Sequence, residues 1–128
     1  MASHVGIWVD HRQAVIVFAS ANKVTTRTLQ SEVGSHPHFA GSQVGGGEKK
    51  YEERFRHDLD RFYDDILTAV HQAEEVLIIG PGEAKRELRE RLGRLSAMAK
   101  AVVTVEPADS MTEPQIVARV KEHYGFKR

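Results

Sequence analysis

Three short runs of apolar and β-branched residues, separated by four-residue polar turns, fill most of the first 29 positions and constrain the fold more than any other feature. Val5–Val9 (VGIWV) is followed by Asp10–Gln13 (DHRQ), Ala14–Ala19 (AVIVFA) by Ser20–Lys23 (SANK), and then comes the alternating stretch Val24–Leu29 (VTTRTL). Turns of this length join antiparallel neighbours and are too short for a parallel crossover. A three-stranded meander is the expected start of the chain.

The pattern then stops. Gln30–Gly47 has no periodicity and holds five glycines and a proline. This predicts a long mobile loop at about 30–48, and structureless stretches of that length are usually either functional or disordered. From about Lys49 a helix is expected, because Tyr51, Phe55, Leu59, Phe62, Ile66 and Val70 recur at spacings of three or four along one face. The rest alternates. Glu75–Ile79 (EVLII) reads as a buried strand, followed by a Gly-Pro-Gly turn and a helix with Ala84, Leu88, Leu92 and Leu95 inward. Ala101–Val105 (AVVTV) reads as the last strand. Thr112-x-x-Gln115 is a capping box with Pro114 in the first turn, opening a helix striped by Ile116, Val117, Val120 and Tyr124.

The order β-β-β-α-β-α-β-α predicts an α/β fold, a mixed five-stranded sheet with helices packed on its faces. This is the order of the ribonuclease H-like folds. At 128 residues the chain is read as a single domain over 1–128, long enough to fold without disulfide or metal. With no cysteine, a disulfide framework, a thiolate zinc site and a cysteine nucleophile are all excluded. The 18 basic and 18 acidic residues balance, so net charge gives no support to nonspecific nucleic-acid binding. Neither a signal peptide nor a membrane-length apolar run is seen, so a soluble, cytoplasmic protein with no membrane partner is expected.

The candidate chemistry is sparse. Asp10 ends the first strand where a ribonuclease H-type enzyme places an acid, but VLIIGPG (Val76–Gly82) supplies no second one, and aspartate in a hairpin turn commonly caps its own backbone. The run GSQVGGGEKK (Gly41–Lys50) fits neither the P-loop nor the dinucleotide fingerprint. Ile78–Leu88 (IIGPGEAKREL) is a strand, a tight turn and a helix start, with Gly82, Lys85, Arg86 and Arg89 as candidate anion-binding residues. Spacing alone favours a plain βα turn in which Glu83 satisfies the helix start. His36 and His38 (HPH) lack a third ligand unless His57 or His71 approaches, so no metal or other cofactor is expected. No nucleophile elbow is present.

With these elements in place, the order and the stretch Gly80–Leu88 (GPGEAKREL) resemble the middle domain of archaeal and eukaryotic peptide-chain release factors and of Pelota. In that family a long loop after the third strand carries Gly-Gly-Gln at the start of the longest helix, and the glutamine serves peptidyl-tRNA hydrolysis; Pelota lacks the tripeptide and acts in ribosome rescue. Gly46, Gly47 and Glu48 stand where Gly-Gly-Gln would be, and Gly80, Pro81, Gly82 and Lys85 match the turn. A carboxylate at position 48 cannot donate the amide's hydrogen bonds and repels a developing oxyanion. The segment Ser31–Gly47 also contains no lysine or arginine.

The resemblance implies a stand-alone, bacterial-type translational protein, a binding module without catalytic residues whose partner is ribosome, tRNA or other RNA. Its contact residues would be the loop tip Gly45, Gly46, Gly47, Glu48, Lys49 and Lys50, with Lys85, Arg86 and Arg89 nearby. Two alternatives stand beside it. One is a hydrolase, either peptidyl-tRNA esterase-like or a divergent metal nuclease using Asp10. The other is a protein-interaction or homodimer module. The oligomeric state is not legible in the sequence.

Overall fold

The computed structural model describes residues 4–31 and 47–125, with side chains from residue 53 onward in the second segment. The five strands are β1 (His4–Val9), β2 (Gln13–Ala19), β3 (Val24–Gln30), β4 (Glu75–Gly80) and β5 (Val102–Pro107). They are joined with helices α1 (Gly47–Ala69), α2 (Ala84–Leu92) and α3 (Glu113–Tyr124). The sheet order is β3-β2-β1-β4-β5. The meander pairs antiparallel, Ile7 opposite Ile16 and Ile16 opposite Arg27, whereas β4 lies parallel to both β1 and β5. The mixed five-stranded α/β sheet is therefore as the pattern predicts. The expected loop at 30–48 falls largely on residues outside the described ones.

Alternation along the central strands divides two cores. Val5, Ile7, Val9, Ile16, Val76 and Ile78 face α1 and α2. Trp8, Val15, Val17, Leu77 and Ile79 face α3 through Ile116 and Val120. The stripe on α1 is broader than one residue per turn. Besides Leu59, Phe62, Ile66 and Val70, the side chains of Tyr63 and Leu67 are buried, giving the wide apolar face a helix needs to cover three strands. Each such burial stabilises by about 1.5–3 kcal/mol.

Local signals set the ends. Thr112 N–H donates to Gln115 Oε1 at 2.9 Å and Gln115 N–H to Thr112 Oγ1 at 3.3 Å, the reciprocal box that starts α3. Trp8 Nε1–H on the central strand β1 donates to the Asp109 carbonyl in the connection before α3 at 3.0 Å, and Thr26 Oγ1 on the edge strand β3 donates to Glu113 Oε2 in the first turn of α3 at 2.9 Å.

Most element ends differ from the sequence reading by one or two residues, and α2 ends at Leu92, so Leu95 lies beyond it. β5 runs on to Glu106 and Pro107, opposite Ile79 and Gly80. Proline is tolerated there because β5 is an edge strand, and one side of it needs no donor. At α2, Glu83 occupies the cap position without a side-chain cap bond; its carboxylate lies 3.5 Å from Arg86 instead.

Candidate functional site

The parallel pairing of β1 and β4 brings the β1–β2 turn and the Gly80-Pro81-Gly82 turn to the same end of the sheet. In open α/β sheets this carboxyl end is where ligands gather. α1 also starts there, since it returns from the end of β3 to the beginning of β4.

Asp10 is used by its own turn. Its Oδ1 accepts from the N–H groups of Arg12 and Gln13, both at 2.8 Å, and its N–H donates to the Gln13 carbonyl at 3.0 Å. This is the backbone-capping role of a hairpin aspartate. Among the described residues, no three His, Asp or Glu side chains are placed to hold a metal ion together. His57 and His71 are both exposed on α1 and just beyond it, while His36 and His38 lie outside the described residues.

The Gly-Pro-Gly turn depends on its glycines for two different reasons. Gly80 has φ +151°, and a Cβ there would lie 2.1 Å from the Val9 carbonyl oxygen. Gly82 has φ +65° with open space around it, so only its left-handed conformation matters. Lys85 is buried and its Nζ donates to the Gly82 carbonyl at 2.7 Å. The lysine thus fastens the turn it follows. Arg86 and Arg89 project from the exposed side of α2. Of the tip residues, Gly45 and Gly46 lie outside the described residues, whereas Gly47, Glu48, Lys49 and Lys50 form the backbone of the first turn of α1.

A polar cluster that no motif announced ties these elements together. Tyr63 OH on α1 donates to Glu87 Oε1 on α2 at 2.6 Å. His11 Nε2, in the turn after β1, lies 3.1 Å from the same oxygen and donates to it when protonated there. Phe55 meets the His11 ring edge-on at 6.2 Å. The Ser31 hydroxyl donates to the His11 carbonyl at 2.7 Å and the Ser31 N–H to the Arg12 carbonyl at 2.9 Å. The last residue before segment 32–46 and the early turns of α1 after it are thereby held on one hairpin. His11, Tyr63 and Glu87 are too far apart in sequence for a spacing rule to connect them. The usable signal was that Tyr63 and Leu67 continue the apolar stripe of α1 at helical spacing.

The electrostatics of this end are less acidic than the sequence of α1 suggests. Arg91 on α2 binds Asp64 through Nε at 2.6 Å and Nη2 at 3.0 Å, and reaches Asp60 at 3.3 Å. The hydrogen bond to Asp64 is the first cause that raises the pKa of the Arg91 guanidinium, which stays charged. Asp58 is buried. Arg12, Arg54, Arg86 and Arg89 are exposed. A separate concavity of about 380 Å³, lined by Val5, Phe18, Lys23, Val70 and His71 among others, opens at the opposite end of the sheet.

Burial is the main cause that pushes the Tyr63 hydroxyl upward, followed by its bond to Glu87; burial likewise raises Tyr124, whose hydroxyl donates to the Val5 carbonyl at 2.8 Å. Their raised folded pKa values mean that stability is complete below the unfolded value of 10.0 and falls as pH rises above it. Spectrophotometric titration is expected to show both phenols ionising only together with loss of the near-UV circular dichroism. Ionisation of both tyrosines with the fold intact is the contrary result.

No protein-family model matches the sequence. No curated protein matches it either. Solved structures do. The archaeal translation termination factor aRF1 superposes with a TM-score of 0.55 over 92% of this chain, at 17% identity. Pelota from Thermoplasma acidophilum gives 0.53 over 93% at 15% identity. The archaeal Pelota of a ribosome-bound model with ABCE1 gives 0.55 over 96% at 16% identity. The match occupies 34%, 31% and 32% of those chains, so this chain spans about a third of their length and shares the fold of that part.

Proposed function

We propose that the chain is a translation-associated binding module that contacts the ribosome, tRNA or another RNA through the loop-bearing end of the sheet. The observation that carries this reading is the shared fold, over at least 92% of the chain, with proteins described as a translation termination factor and as ribosome-bound Pelota. The matched third is taken to be the middle domain of those factors, with the Gly45–Lys50 stretch as its contacting tip. Glu48 in place of glutamine makes that tip a contact and not a hydrolytic group, because a carboxylate opposes charge build-up on an attacked ester.

Lys49, Lys50, Arg86 and Arg89 supply the phosphate contacts in this reading. Lys85 acts from behind by fixing the turn. The clamp of Arg91 on Asp60 and Asp64 supports it, since it offsets acidic charge on α1. The protein would work in the cytoplasm, where ribosomes are.

Co-sedimentation with ribosomes across a salt series tests the proposal. The protein is expected in the pellet at low salt and to leave it steeply as salt rises. Changing Lys49, Lys50, Arg86 and Arg89 to alanine together should weaken binding at least tenfold and flatten the salt slope by up to about one per residue. Absence from the pellet even at low salt overturns the proposal, as does a quadruple variant that binds like the parent.

A further inference from the structure

We infer that β5 is a self-pairing edge, through which two copies of this chain join antiparallel about a two-fold axis at Thr104. β5 pairs with β4 on one side, and among the described residues no strand lies on the other. Which groups face outward follows from the bonds at its two ends. Val102 N–H donates to the Glu74 carbonyl at 2.9 Å and Ala108 N–H to the Gly80 carbonyl at 3.1 Å, so the even-numbered positions face β4. The backbone N–H and C=O groups of Val103 and Val105 therefore point away from the sheet. Pro107, which has no N–H, continues the same outward series.

An antiparallel copy centred on Thr104 sets Val103 opposite Val105 of the second chain, and Val105 opposite its Val103. Both pairs then exchange both of their bonds, as hydrogen-bonded antiparallel pairs do. The side chains agree with this register. Val103 and Val105, both β-branched, meet on the face packed by α1 and α2. On the α3 face Thr104 meets its own copy, a favourable cross-strand pair, and no like charges are opposed. Antiparallel order also sets Val102 opposite Glu106 of the second copy, whose carboxylate is held by Arg119 of its own chain at 2.9 Å. Val102, 58% exposed and the one large exposed hydrophobic side chain among the described residues, is covered in the process.

The other edge is built differently. β3 carries exposed Thr25, Thr26, Arg27 and Thr28, and an antiparallel copy centred on it would set Arg27 against Arg27. Charge at the middle of an edge is a common device against pairing. The two edges of one sheet thus separate into a blunted one and an open one.

The chain has no cysteine, so single-cysteine variants test the axis directly. The two copies of position 104 form a non-hydrogen-bonded pair, with Cα atoms about 4.5 Å apart, inside the range a disulfide spans. Under mild oxidation Thr104→Cys is expected to convert mostly to a covalent dimer, while Arg27→Cys stays largely monomeric. Light scattering of the parent should rise from 14.4 kDa towards twice that value with concentration. Val103→Pro should hold the mass at the monomer value, because it removes an outward donor and leaves the bonds to β4 intact. Thr104→Lys and Thr104→Glu should each be monomeric, and dimerise when mixed. A parent that stays at 14.4 kDa at all concentrations overturns the inference, as does Thr104→Cys cross-linking no faster than Arg27→Cys. Dimerisation does not depend on ribosome binding, so each proposal can fail without the other.

Discussion

Gly80→Ala is expected to destabilise the fold by about 3 kcal/mol or more, a large share of the stability of a domain this size. Two effects add. The backbone there has φ +151°, a region that L-residues avoid, and the new Cβ would sit 2.1 Å from the Val9 carbonyl oxygen. The neighbour is main chain in the central strand, so no rotamer change relieves it. β1 and β4 would have to part at the end from which the His11 turn and the Gly-Pro-Gly turn emerge. Urea unfolding should show a midpoint lowered with its slope unchanged. Gly82→Ala is the built-in comparison. With nothing within 4 Å of its Cβ, it carries only the left-handed penalty of about 1–2 kcal/mol. Equal losses at the two positions would show that contact with Val9 is not the cause.

Gly6→Ala should cost about 1–3 kcal/mol by overpacking, on the other face of the sheet. Its Cβ would fall 2.2 Å from Val120 Cγ2 and 2.8 Å from Cγ1, and Val120 is fully buried beneath α3. Here the obstacle is a side chain, so the damage can be relieved. In a double-mutant cycle, Gly6→Ala combined with Val120→Ala is expected to be less destabilised than the sum of the two by about 1 kcal/mol or more. Strict additivity would mean that α3 does not rest on Gly6. If α3 is displaced in the single variant, Tyr124 should titrate earlier, because its hydroxyl then loses the burial that raises it.

Much of the fold was legible because its signals are local. Tight turns dictated the meander, the periods of two and of about 3.6 separated strands from helices, and Thr112 with Gln115 marked the start of α3. The predicted stripe of one residue per turn on α1 leaves out Tyr63 and Leu67, both buried, and the partner of the Tyr63 hydroxyl lies on another helix. The sequence pattern ends the last strand at Val105, whereas β5 runs on through Pro107, a residue excluded from the inside of a sheet and tolerated here because the strand is at the edge.

The candidate site was legible as a list of residues and not as an arrangement. Asp10 was correctly suspected as a turn residue, since its role is fixed by neighbours two and three positions away. Lys85 was grouped with Arg86 and Arg89 by charge, whereas the helix turns its side chain back to the Gly82 carbonyl.

The sequence by itself determined the elements, their order and the class of the sheet, because hydrophobic period and turn length act over a few residues. Only the tertiary structure decided which ends coincide. Parallel pairing of β1 with β4 put His11 beside Glu87, 76 positions away, and placed Val9 against Gly80, and among the described residues β5 pairs on one side only. Such contacts arise from strand order and register, which depend on packing over the whole sheet and have no local code.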